Sequence, residues 1–387
     1  MDDDEARAYL EELTIVIFSR NRPIDLRRTM DYWSRWPVTL LVLDGSDLPL
    51  DVLGTRYGAA AVEAFSAVSM NARFEYAAAN IHSSFACLHT DDDYLLARSV
   101  ASALRALTTR PQLSCIASDG QFFDGAGQFS PSISGREILF DYPRDRLMDH
   151  FSHWSWSYVY GLHRAATFSQ ALSAVADAMN QAAFTLHSNL IGFEFGMEIC
   201  GSVLGRLGST PDVLLLKRVG NENQSYHESQ TWAEWLLDPA AEEAVLSWRR
   251  TLSQHLSPYA GVSPETMNSW IQDALSKVLT DCQSASSGRR GSLQTLATFP
   301  LPRDSVGRVS HALRPKSHPS EDGYLGRSRR LARRTHRAGF IAARRLFRAG
   351  GGLVGRGRPG SARAPWSWGD RRDLADYWES ERSGRPS

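Results

Sequence analysis

Short runs of branched apolar residues alternate with longer amphipathic segments over the first 120 residues. The apolar runs are Leu13-Thr-Ile-Val-Ile-Phe18, Val38-Thr-Leu-Leu-Val-Leu43, Phe85-Ala-Cys-Leu88 and Leu113-Ser-Cys-Ile-Ala-Ser118. Such runs suit strands covered on both faces. Between the first two, Leu26, Met30 and Trp33 fall on one helical face, and Pro23 fits a first helical turn. Leu96, Val100, Ala103, Leu104 and Leu107 mark another amphipathic helix. The Ala-rich stretch 56–82 is predicted to be mostly helical. Strand and helix alternating at this spacing predict an α/β fold, a mostly parallel sheet flanked by helices.

Charge and composition divide the 387-residue chain. Lys+Arg 43 balances Asp+Glu 43, so the net charge is zero and a uniformly basic nucleic-acid binder is excluded. The balance hides an asymmetry: eleven arginines and no acid stand between Gly323 and Arg358. Residues 1–11 read as an N-terminal tail, 12–280 as the globular domain, 281–322 as a Ser/Gly/Arg/Pro linker and 323–387 as an Arg-rich tail. For the tail three readings stand: disorder, contact with an anionic membrane surface through 327–348, or non-specific nucleic-acid contact. No specific nucleic-acid partner is expected. The chain carries no apolar run of about 18 residues, which excludes a transmembrane helix. Its acidic start, Met1-Asp-Asp-Asp-Glu5, does not read as a secretory signal. Cys87, Cys115, Cys200 and Cys282 are scattered and form no CxxC pair, so neither a disulfide framework nor a cysteine zinc site is expected. The expected location is cytoplasmic, with a peripheral place at the inner membrane face if the tail binds lipid.

In open α/β sheets ligands bind beyond the carboxyl ends of the strands. Three polar clusters sit there: Ser19-Arg-Asn-Arg-Pro23, Asp44-Gly-Ser-Asp47 and Asp91-Asp-Asp93. Alternate residues of an extended segment point the same way, so Asp91 and Asp93 can face one point. Two hard carboxylates and diphosphate oxygens suit Mg²⁺ or Mn²⁺. The other reading is a solvated acidic turn, as expected for Asp2-Asp-Asp4. Asp44 suits a base N–H or a ribose hydroxyl, or else a plain Asx turn with Gly45.

In order and spacing these clusters resemble the GT-A class of nucleotide-sugar glycosyltransferases. They are closest to the large inverting family that opens with a strand and Asn-Arg-Pro and carries Asp-x-Asp after a later strand. Asp141-Tyr-Pro-Arg-Asp-Arg-Leu147 and Tyr158-Val-Tyr-Gly-Leu-His-Arg164 resemble a bacterial subgroup. The chain departs from the family pattern at Leu43, where an acid is common, and at His89-Thr90, which intervene before the acidic run. The resemblance implies a GT-A fold with a nucleotide half at 12–120 and an acceptor half at 121–280. It places Ser19, Arg20, Arg22 and Asp92 around the donor and Asp44 at the base. Asp91 and Asp93 would bracket a divalent cation (Mn²⁺ or Mg²⁺) and the sugar diphosphate, with the late His227 beside them. The partners implied are a nucleoside-diphosphate-sugar donor and a glycan or lipid-linked acceptor. The other reading is an inactive relative that binds a nucleotide-sugar or glycan without turnover.

An inverting transferase also needs a general base for the acceptor hydroxyl. Glu198 and Glu194, one turn apart in Gly192-Phe-Glu-Phe-Gly-Met-Glu198, are the candidates; the resemblance implies Glu198, whose distance to Gly208 better fits the family pattern. Trp154 and Trp156, alternating with Tyr158, are expected on one strand face, as an acceptor platform or as core. His153, His163 and His187 are expected to be core histidines.

Overall fold

The computed structural model describes residues 1–47, 60–64, 69–123, 129–133, 136–153, 158–182, 186–218 and 240–288. Among these residues nine strands form one sheet: β1 (Leu13–Ser19), β2 (Thr39–Asp44), β3 (Ala60–Ala64), β4 (Phe85–Thr90), β5 (Tyr94–Leu95), β6 (Leu113–Phe123), β7 (Phe129–Ile133), β8 (Leu162–Arg164) and β9 (Arg206–Arg218). Their order is β3-β2-β1-β4-β8-β6-β9-β5, with β7 on β6. β3, β2, β1 and β4 are mutually parallel, and β9 is parallel to β6. β8 is antiparallel to both β4 and β6, so β6 and β9 run with the first four. The expected mostly parallel α/β sheet is thus present.

Among the described residues the helices are α1 (Asp3–Leu10), α2 (Pro23–Trp33), α3 (Met70–Asn80), α4 (Ala97–Thr109), α5 (Pro143–Ser152), α6 (Ala165–Ala182), α7 (Leu186–Leu204), α8 (Glu242–Ala260) and α9 (Pro264–Gly288). They flank the sheet because its strands are apolar on both sides. Leu13, Ile15 and Ile17 of β1 pack with Leu26 and Trp33 of α2 and with Leu104 of α4. Val16, between them, faces the other way into a core with Phe74, Phe168, Phe195 and Trp248. That alternation is the two-residue period of a pleated strand. Among the described residues no helix is long and apolar enough to cross a membrane.

Three expectations are corrected. Residues 60–64 are a strand within the stretch expected to be helical. Ala-Ala-Val-Glu-Ala pairs with the free edge of β2, and this long-range ladder outweighs alanine's helix propensity. Residues 3–10 are a packed helix rather than a tail. Asp2 caps it by accepting from the Glu5 N–H at 2.8 Å, and Ala6 and Leu10 are fully buried. The domain's last helix runs to Gly288, past the expected boundary at 280. The rest of the linker and the Arg-rich tail lie outside the described residues.

Candidate active site

Strand register sets the site. Ser19 pairs with Asp44, and Phe18 pairs with Thr90, the residue before Asp91. The three expected clusters therefore meet at one edge of the sheet, beyond the carboxyl ends of β2, β1 and β4.

Hydrogen bonds lace the first two clusters. Asn21 takes a left-handed backbone (φ 57°), which asparagine tolerates. Its amide N–H donates to Ser46 Oγ at 2.6 Å, and its side chain exchanges bonds with Asp47 at 3.0 and 3.1 Å. Asp44 is buried, and its Oδ1 accepts from the Ser46 N–H at 3.0 Å, an Asx turn. Beneath the turn, Arg73 of α3 donates to the carbonyls of Ser19 at 3.2 Å and Leu43 at 3.3 Å. Gly45 makes room for it: a Cβ there would stand 2.5 Å from the Arg73 guanidinium. Arg20, in the same loop, is exposed.

Asp91, Asp92 and Asp93 are 2%, 6% and 3% exposed, so the solvated-turn reading fails. Asp91 accepts from Ser19 Oγ at 2.8 Å and from Arg22 at 2.9 Å, and Thr29 Oγ1 donates to its carbonyl at 3.1 Å. Arg22 also pairs with Asp92 at 2.9 Å. Burial pushes the Asp91 carboxyl up to about 6, while Arg22 and Ser19 pull the other way. Asp93 faces Lys217 of β9 at 3.8 Å.

From Lys217 a chain of contacts leads to α7. The Lys217 ammonium donates to the Tyr160 hydroxyl at 2.5 Å and lies 4.1 Å from that ring's centre. The Tyr160 hydroxyl donates to Glu194 Oε1 at 3.3 Å. Glu194 is only partly buried. Burial raises its carboxyl pKa, with Lys217 and the Tyr160 hydrogen bond opposing.

Glu198, one turn on, is fully buried and differently employed. It accepts from the backbone N–H groups of Tyr158 (3.1 Å) and Val159 (2.9 Å), and His150 Nε2 lies 2.7 Å from its Oε2. Gly201 admits the Tyr158 ring there, since a Cβ would stand 2.3 Å from it. Glu198 thus clamps the turn that presents Tyr160. Of the two carboxylates, Glu194 is the more open.

Other expectations are sorted by position. His163 is a core histidine, fully buried against the Tyr158 carbonyl and Phe168, and burial lowers its pKa to about 4. His153 is not core: it is 58% exposed at the end of α5, because the helix stops there and turns its ring outward. Tyr158 lies in a turn, not on a strand, since its backbone is bound to Glu198 instead of a neighbouring strand. Trp154, Trp156, His227 and the side chain of His187 lie outside the described residues.

The expected cation can be weighed against these donors. Among the described residues no three His, Cys, Asp or Glu side chains come together as metal ligands. The hard oxygens of Asp91 and Asp93 still fit Mg²⁺ or Mn²⁺ if phosphate oxygens of the donor complete the shell.

Arg73, His150, Tyr160 and Lys217 were not singled out by sequence. Tyr160 stands within the quoted Tyr158–Arg164 motif, and Lys217 directly follows the apolar run Val213-Leu-Leu-Leu216. Arg146 of the quoted Asp141–Leu147 motif is also structural. It donates to the carbonyls of Ser202 and Val203 at 2.8 and 2.7 Å, closing the end of α7.

No protein-family model matches the chain, and no curated protein sequence matches it. Among solved structures it is similar to S. aureus TarS residues 1–349, with 10% identity and a TM-score of 0.40 over 72% of this chain and 92% of that one. A longer S. aureus TarS structure gives 9% identity and a TM-score of 0.38 over 70% of this chain and 54% of that one. At such identities and TM-scores the likeness carries no argument about activity.

Proposed function

We propose that the chain is a GT-A-type glycosyltransferase. It moves a sugar from a nucleoside-diphosphate-sugar to a hydroxyl of a carbohydrate or lipid-linked acceptor, with inversion. The observation that carries this reading is the meeting of Ser19–Arg22, Asp44–Ser46 and Asp91–Asp93 at one sheet edge, with Glu194 joined to them through Tyr160 and Lys217.

In this reading the turn at Asp44 seats the base, and the loop at Ser19–Arg22 lies along the nucleotide. Asp91 organises that loop by holding Ser19 and Arg22. Glu194 takes the proton of the acceptor hydroxyl as its oxygen attacks the anomeric carbon. The raised pKa of Glu194 makes it a stronger base than an exposed glutamate, and the Tyr160 hydrogen bond fixes its direction. A divalent cation, when bound with the donor at Asp91 and Asp93, supplies Lewis-acid stabilisation to the departing diphosphate.

A second reading, binding without turnover, draws on one observation: Arg22 and Lys217 already face the three aspartates. Thermal shift against UDP-, GDP-, dTDP- and CMP-sugars, with and without Mn²⁺, tests donor binding for both readings. Sugar transfer by the wild-type protein that is lost in Glu194→Gln supports the enzyme. Donor binding with no transfer to any offered acceptor supports the binder.

A further inference from the structure

We infer that Lys217 is the protein cation that receives the donor's diphosphate, exchanging Asp93 for the incoming phosphate oxygens. The inference rests on the glycosyltransferase reading and adds a residue to it.

Arg22 is committed, with 2.9 Å contacts to both Asp91 and Asp92. Lys217 is held differently. It stands 3.8 Å from Asp93, within ion-pair range but beyond direct hydrogen-bonding distance. Its side chain is 16% exposed. A cation at that separation from its anion gains from a closer one, because Coulomb attraction in a low-dielectric site rises steeply with proximity. Tyr160 fixes the ammonium at 2.5 Å and hands the same contact on to Glu194. Lys217 therefore lies between the acidic cluster that meets the donor and the carboxylate that meets the acceptor.

That is where charge develops. As the acceptor oxygen bonds to the anomeric carbon, the bond from that carbon to the β-phosphate oxygen breaks. Its electron pair stays on the phosphate, and the hydroxyl proton goes to Glu194. A cation already in place stabilises this growing charge without reorganisation.

Calorimetry with UDP, GDP and dTDP, each in EDTA and in Mn²⁺, tests the inference. The nucleoside diphosphate that binds wild type best should bind Lys217→Met about tenfold more weakly, as loss of a charge-assisted contact implies. Lys217→Arg should restore most of the affinity, and the matching nucleoside, which has no phosphate, should bind all three proteins alike. In EDTA, Asp93→Asn should bind the diphosphate more tightly than wild type, because Lys217 loses its competing partner. Equal diphosphate affinity in wild type and Lys217→Met overturns the inference and leaves the glycosyltransferase reading standing. So does an equal loss for nucleoside and diphosphate, which marks Lys217 as merely structural. A wild type that binds no nucleoside diphosphate overturns both.

Discussion

Glu194 and Glu198 sit on one helix, one turn apart, and the fold treats them in opposite ways. Glu198 is sealed and spends its oxygens on two peptide N–H groups beside His150. Glu194 is partly open and meets a tyrosine that a lysine holds. A carboxylate whose acceptor positions are filled by buried backbone has become part of the scaffold, because freeing it would strand those donors. A carboxylate that is partly open and bound by a side-chain hydroxyl can release that contact without stranding buried backbone. The family resemblance ranks them the other way.

The sharpest way to break this contrast is Glu194→Gln. Transfer should fall about 10²–10⁴-fold, the usual contribution of a general base. Donor affinity and melting temperature should stay near wild type. Equal transfer rates would place the base elsewhere.

Glu198→Ala should do the reverse. It leaves the Tyr158 and Val159 N–H groups without their acceptor, and the cost should be about 3–5 kcal/mol of stability, as for a buried charge network broken on one side. Urea unfolding measures it. A variant as stable as wild type, but inactive, would return Glu198 to the chemistry.

The same turn makes a pH prediction through His163. Burial lowers its pKa from 6.5 to about 4, so the folded chain keeps it neutral while the unfolded chain takes up a proton below the ordinary value. Its contribution is fully present above pH 6.5 and is lost as pH falls toward 4, by at most about 3 kcal/mol. Unfolding free energies across that window should slope downward with acid, and the slope should flatten in His163→Gln. An unchanged slope would mean that His163 is already charged in the fold.

The smallest expected effect sharpens a parallel contrast, between the two acidic runs. Asp3 pairs with Arg98, which is itself buried, at 2.7 Å at the start of α1. Asp3→Ala should cost about 1 kcal/mol and leave donor binding untouched. A lost donor affinity would tie the N-terminal helix to the site.

Those two runs also show what could be read from sequence. Asp91–Asp93 follows an apolar strand, and that context placed it at the sheet edge with Ser19 and Asp44. The β1, β2, β4 and β6 runs and the flanking helices were legible for the same reason: their apolar periods are strong and local. Asp2–Asp4 was read as a solvated run, yet it starts a packed helix, because Arg98 is distant in sequence. β3 was hidden since its alanines pair with β2 only across a long connection. The Lys217–Tyr160–Glu194 chain was invisible for a like reason. It joins β9, a turn and α7, and no local pattern records which side chains meet.

The central claim is that one sheet edge binds a nucleoside-diphosphate-sugar for transfer through Glu194. The most direct measurement is product formation by wild type and Glu194→Gln with the donor that gives the largest thermal shift, at matched donor occupancy. The expected result is transfer by wild type and a loss of at least about 10²-fold in the variant, with both proteins binding the donor equally. No thermal shift with any nucleotide-sugar, or equal transfer by both proteins, would contradict it.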